Sequence, residues 1–178
     1  AFQRENPEIT LLITECGSLH AEKLLARGEL DLAMATLPAP PSPEFSYLRL
    51  ARTQLMLCVS PAHRLANAPS VDISMLRDEP LVLFGTDTAP SRAVLSLFAE
   101  RQLRPNVLLY SSQLSMIQQF ISDGTATAFL LDALARREPG LVAVPFSTPV
   151  YFDTVLLWKR GQYLNRSCIR LGKTASRG

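Results

Sequence analysis

The sequence predicts an α/β protein. Short apolar runs rich in β-branched residues alternate with segments of helical periodicity through most of the chain. That alternation is the signature of mixed sheets with crossover helices. Of 178 residues, 47% are hydrophobic, enough for one core or two small lobes. No internal repeat and no low-complexity tract interrupts the pattern.

The first informative stretch runs from residue 9 to residue 36. Residues 1–6 read as the tail of a helix closed before Pro7. Residues 9–13, Ile-Thr-Leu-Leu-Ile, suit a buried strand. Gly17 permits a tight turn, and Ser18 is placed to cap a helix with its hydroxyl. Ala21, Leu24 and Leu25 share one face, while Glu22, Lys23 and Arg27 face water. Gly28 supplies a left-handed end to the helix. Residues 30–35 are apolar again. A strand, helix and strand this short predict parallel pairing in a right-handed βαβ unit.

Pro38, Pro40, Pro41 and Pro43 then exclude regular structure. A surface loop fits this tract, and a proline-rich ligand is the alternative. Residues 45–51 and 54–60 read as two strands, followed by a turn over 61–67 and a short helical turn over 73–76. His63 has no nucleophile or carboxylate at a recognisable spacing, so turn packing is expected of it.

Residues 81–84 form a strand that ends at Gly85. Gly85-Thr86-Asp87-Thr88 joins it to a helix beginning near Pro90 or Ser91, with Val94, Leu97 and Phe98 on its apolar face. Ligands of open α/β sheets bind outside the carboxyl ends of strands, where small hydroxyl residues and free helix N–H groups meet a carboxylate. An ordinary capped turn satisfies the same residues equally well. Residues 106–110 form the next strand. Ser111-Ser112-Gln113 opens a helix whose buried stripe is Leu114, Ile117 and Ile121, and Gly124 ends it. Ser112 is assigned a cap, a ligand contact, or both. Strands follow at 125–131, 141–146 and 153–159, with a short helix over 132–138 closed by Pro139-Gly140 and a last helix over 163–173.

Four segments carry a family resemblance. Gly28-Glu29-Leu30-Asp31-Leu32-Ala33, preceded by Glu15-Cys16-Gly17-Ser18, resembles the effector-binding domain of LysR-type transcriptional regulators. Ser60-Pro61-Ala62-His63-Arg64-Leu65-Ala66 resembles its SPxHPLA segment, with Arg64 where proline is usual. Asp78-Glu79-Pro80-Leu81 resembles the DEPL entry to a strand, and residues 121–128 resemble V-x-x-G-x-G-I-A. Ala126 stands for the second glycine of that motif, and Leu131 stands where proline is common. The four occur in family order over residues 2–158.

The resemblance implies a two-lobed fold of the type 2 periplasmic-binding-protein kind with two interlobe crossovers, near residues 54–60 and 151–157. Lobe I would comprise residues 1–56 and 154–178, and lobe II residues 57–153. It implies a small effector, a carboxylate, held in the interlobe cleft by Ser18, Thr86, Ser112 and Gln113. It implies a homodimer or homotetramer that uses the outer side of the 91–102 helix and the 7–13 edge. DNA would be reached only through a winged helix-turn-helix domain missing from this sequence, as are the family's first strand and the start of its first helix. The expected location is the cytoplasm. The alternative on the same scaffold is a periplasmic solute-binding protein for transport.

Composition removes several other classes. The formal net charge is +2, with 18 basic and 16 acidic residues, and no basic block offers DNA affinity through phosphates. No run of 18 apolar residues predicts a membrane span, and no signal peptide is visible. Cys16, Cys58 and Cys168 are far apart and lack C-x-x-C spacing, so small buried thiols are expected rather than a metal site, a disulfide or a peroxide sensor. No paired carboxylates, G-x-S-x-G, Cys–His pair or phosphate loop points to catalysis. No cofactor is expected.

Overall fold

The structure is a computed structural model that describes residues 2–138 and 140–162. Pro139, Cys168 and the helix expected over 163–173 lie outside the described residues. The chain divides into two compact units, one of Ala1–Arg52 with Asp153–Gly178, the other of Thr53–Phe152.

In the first unit, α1 (Phe2–Glu5) is followed by an extended segment and by α2 (Ser18–Arg27). β1 (Ala33–Leu37) pairs antiparallel with β7 (Tyr151–Lys159), with Ala35 opposite Val155. β7 lies beside β2 (Phe45–Val59) in the strand order. Helix α2 ends at Gly28, whose φ of 74° is the left-handed conformation a Cβ would oppose. Its N–H caps the carbonyls of Leu24 and Leu25. Ala21 and Leu25 pack with Ala33, Ala35, Leu37, Phe45, Val155 and Leu157 into this unit's core.

Two expectations fail here. Residues 9–13 are not a strand, and no βαβ unit forms with β1. Leu12 is 91% and Ile13 86% exposed. The segment has β propensity, but a strand also needs a neighbour to take its N–H and C=O groups, and none of the described strands pairs with it. The second failure concerns residues 45–51 and 54–60, which form the single strand β2. Arg52 and Thr53 contain no turn-forming residue, so the extended backbone continues through them, and the chain enters the second unit within this strand.

The second unit is a sheet clad on both faces. β6 (Val142–Pro145) and β5 (Thr127–Leu131) flank β2 on opposite sides, both antiparallel to it. β5 pairs parallel with β3 (Pro80–Leu83), which pairs parallel with β4 (Asn106–Tyr110). The period-two alternation of strands divides the core cleanly. Leu55, Leu57, Leu81, Leu83 and Phe129 face α3 (Ala89–Glu100) through Val94 and Phe98. Cys58, Val82, Ala128 and Leu130 face α4 (Leu114–Ser122) through Ile117 and Ile121. α5 (Asp132–Ala135) follows β5 directly.

Burial fixes where stability resides. Leu25→Ala is expected to cost about 3 kcal/mol, the usual loss for a truncated core leucine. Ile13→Ser should change stability by less than about 0.5 kcal/mol, as surface substitutions do. Urea unfolding of the two variants beside the parent chain measures both.

Candidate functional site

Strand register decides which of the candidate side chains meet. Leu83, the last residue of β3, lies opposite Tyr110, the last residue of β4, so the loops that carry Thr86 and Ser112 with Gln113 leave neighbouring parallel strands at the same end. The Ser111 N–H donates to the Leu83 carbonyl at 2.9 Å and ties the two loops together. On the other side of β3, Val82 lies opposite Ala128 in the parallel strand β5, whose last residue Leu131 is followed by Asp132 at the start of α5. Neighbouring strands are about 5 Å apart. The carboxyl ends of β5, β3 and β4 therefore present Asp132, Thr86 and Ser112 with Gln113 along one rim of the second unit.

The hydroxyls of this rim divide into two groups. Thr88 donates from Oγ1 to the Gly85 carbonyl at 2.8 Å, and Ser91 donates to the Phe84 carbonyl at 2.8 Å. Ser111 Oγ accepts the Gln113 N–H at 3.1 Å. These three close the loops. Thr86, Ser112 and Gln113 are exposed and their side chains make no hydrogen bond among the described residues. The expectation that Ser112 caps α4 is corrected: Gln113 is the N-cap residue, and Ser111 supplies the local hydrogen bond because it lies two residues before that N–H.

Ser18 belongs to the other unit. It is the first residue of α2 rather than its cap, and Gly17 holds the cap position without a side-chain bond. The Ser18 hydroxyl instead reaches β1, donating to the Thr36 carbonyl at 3.2 Å and accepting the Thr36 N–H at 3.4 Å. A hydroxyl at the first helical position points back along the helix, so it meets the neighbouring strand before it meets its own first turn.

Asp132 was not among the residues singled out from the sequence. Its Oδ1 accepts the Thr53 hydroxyl in a short hydrogen bond and the Gln54 N–H at 3.3 Å. Arg136 Nη2 lies 3.7 Å from Oδ2. The Thr53 hydroxyl is the main cause holding the Asp132 carboxyl below its ordinary range, with the Gln54 and Ala133 N–H groups and Arg136 adding to it against desolvation. Thr53 is buried and begins the second unit, so the carboxylate pins β2 where the chain enters that unit. Asp132 and Thr53 are 79 positions apart, and no spacing signals the pair.

His63 also finds a carboxylate that its spacing did not reveal. Its Nδ1 accepts the Leu65 N–H at 3.2 Å, which leaves Nε2 to donate to Glu79 Oε2 at 3.1 Å. Arg64 Nε donates to Glu79 Oε1 at 2.8 Å, and its Nη2 donates to the Met75 carbonyl at 2.7 Å. The arginine that replaces the usual proline thus fastens the 60–66 turn onto the Asp78-Glu79-Pro80 segment. No nucleophile shares this cluster, and packing of the turn accounts for it.

The cysteines divide as well. Cys58 is fully buried between β5 and β6, and desolvation pushes its thiol up to about 12 despite a hydrogen bond with the Leu130 backbone. Such a thiol carries almost no thiolate at neutral pH. Cys16 is exposed, contrary to the expectation of buried thiols, because it follows the unpaired 9–13 segment rather than a strand end. Among the described residues no helix is long and apolar enough to cross a membrane.

The Thr53–Asp132 contact has a signed pH dependence. A carboxyl lowered in the folded state stabilises fully above the unfolded value of about 3.9, and that stability is lost as pH falls through the folded value. Thr53→Val is expected to destabilise by about 1.5 kcal/mol at pH 7, the worth of a hydrogen bond to a charged group. The gap to the parent chain should close as the pH is lowered through the carboxylate range. Urea midpoints taken across pH 2 to 7 read the difference.

Most of the chain matches known proteins. Residues 1–171 match the family described as the LysR substrate binding domain. The uncharacterized HTH-type transcriptional regulator YwbI of Bacillus subtilis (strain 168) is 28% identical over 167 residues, covering 92% of this chain and 55% of that protein. The chain thus spans about half the length of that relative. The regulatory domain of CcmR from Synechocystis PCC6803, solved with 2-PG, superposes with a TM-score of 0.84 at 18% identity, covering 99% of this chain and 86% of that one. The effector binding domain of QuiR, solved with shikimate, gives 0.75 at 19% identity, covering 99% and 85%. These likenesses show the type 2 periplasmic-binding-protein-like fold expected from the sequence. With the fold, the four ordered motifs and a match over residues 1–171, the chain belongs to the LysR substrate-binding domain family.

Proposed function

We propose that this chain is the effector-sensing part of a LysR-type transcriptional regulator. In this reading it binds a small anionic metabolite and passes the event to DNA-binding domains outside this sequence through rearrangement of a homodimer or homotetramer. One observation carries the binding half of the proposal. Thr86, Ser112 and Gln113 follow the carboxyl ends of the parallel strands β3 and β4, and their side chains make no hydrogen bond among the described residues, at the end of the sheet where open α/β sheets bind ligands. α4 starts at the same rim, and its first N–H groups have no acceptor within the helix. Together with the dipole of that helix they favour negative charge on the guest.

The relatives support the same reading. CcmR and QuiR domains of this fold were solved with 2-PG and with shikimate, and the relative YwbI is an HTH-type transcriptional regulator. Ser18 remains a candidate contact of the first unit, and its bonds to Thr36 would have to be shared or exchanged. The exposed Leu12 and Ile13 support an association surface at the 7–13 edge. A ligand that prefers one arrangement of the protein shifts its population by that differential affinity, and no other coupling is required.

Calorimetric titration with a panel of small carboxylates tests the site. Thr86→Ala and Ser112→Ala are each expected to weaken an observed affinity about two- to tenfold, the worth of one ordinary hydrogen bond. Unchanged affinity in both variants would remove the rim from the binding site.

A further inference from the structure

The rim of the second unit carries a carboxylate that an anion-binding reading does not use. Asp132 follows the carboxyl end of β5, which runs parallel to β3, so it leaves the sheet at the same edge as Thr86, Ser112 and Gln113. Its two oxygens are not equivalent. Oδ1 takes both the Thr53 hydroxyl and the Gln54 N–H. Oδ2 lies 3.7 Å from Arg136 Nη2, and the side chain is 27% exposed. An ionised carboxylate oxygen accepts hydrogen bonds only, so Oδ2 offers lone pairs and no proton to anything at the rim.

We propose that Asp132 is a specificity-determining contact of this rim and selects acids bearing an aliphatic hydroxyl over their deoxy counterparts. This rests on the ligand-binding reading above and deepens it. The guest's acid group would be met by the Ser112–Gln113 end and the α4 N–H groups, and its hydroxyl by Asp132 Oδ2. A second carboxylate at that position would face like charge and is rejected. A bare methylene would strand a charged acceptor without a partner, which costs more than an absent neutral bond. An ammonium is a weaker candidate than a hydroxyl because Arg136 already offsets the charge of Asp132. Thr53 acts through Asp132 as a positioning residue: its hydroxyl fixes which oxygen faces outward.

Paired probes test this on the whole chain, with malate against succinate, lactate against propionate, and aspartate against succinate, followed by calorimetry. The hydroxy acid is expected to bind at least tenfold more tightly than its deoxy partner. Asp132→Asn keeps an acceptor for Thr53 and Gln54 but replaces Oδ2 with a donor, and it should bring that ratio to within twofold of one. A thermal melt of D132N beside the parent checks that it is folded. Arg136→Gln changes an exposed side chain, and it should keep the malate preference while raising aspartate binding at least threefold. Equal binding of hydroxy and deoxy acids, with Thr86→Ala still weakening both, overturns this inference and leaves the ligand-binding reading intact. A ratio that survives Asp132→Asn, or an aspartate preference over malate in the parent chain, also overturns it. Binding by no member of the panel overturns the ligand-binding reading and this inference together.

Discussion

The parallel pairing of β3 with β4 on one side and β5 on the other is the constraint from which the second unit's chemistry follows. Parallel strands start and stop together, so their carboxyl ends deliver three loops to one edge. The ladder bond from Ser111 to Leu83 and the hydroxyl closures at Thr88 and Ser91 then hold two of those loops without using Thr86, Ser112 or Gln113. Buried leucines and phenylalanines on one face and small residues with two isoleucines on the other set the strand register. A slip by one residue would exchange those faces, and the rim would lose its alignment with them.

The third loop is held differently. β2 enters the second unit in the middle of a 15-residue strand, and nothing in its own backbone marks the place. Asp132 marks it by holding Thr53 and Gln54 from the end of β5. The carboxylate thereby serves packing through Oδ1, while Oδ2 lies 3.7 Å from Arg136 Nη2.

Much of this was legible in the sequence because it depends on local rules. Gly28 ended its helix, residues 106–110 formed their strand, and Val94, Phe98, Ile117 and Ile121 faced the core, as period and propensity require. The failures share a cause: they depend on partners distant in the chain. Residues 9–13 have the composition of a strand, but none of the described strands pairs with them. Thr53 with Asp132, and His63 with Glu79, meet only after folding. Ser18 and Ser112 were given helix caps because their types suit that role, yet Gly17 and Gln113 occupy the cap positions and the two serines turn elsewhere. Of the four candidate ligand residues, Thr86, Ser112 and Gln113 follow the carboxyl ends of β3 and β4 in the second unit, and Ser18 lies in the first. The Asp132 contact with Thr53 was missed because an aspartate after a strand is an ordinary helix start.

The most direct measurement is a two-dimensional amide NMR titration of the chain with a bound acid. The account predicts that the largest shifts fall on residues 85–88, 111–115 and 53–54 with 132–133, the three loops at the carboxyl ends of β3, β4 and β5. Saturating binding that leaves those amides unmoved and shifts another surface of the second unit would contradict it.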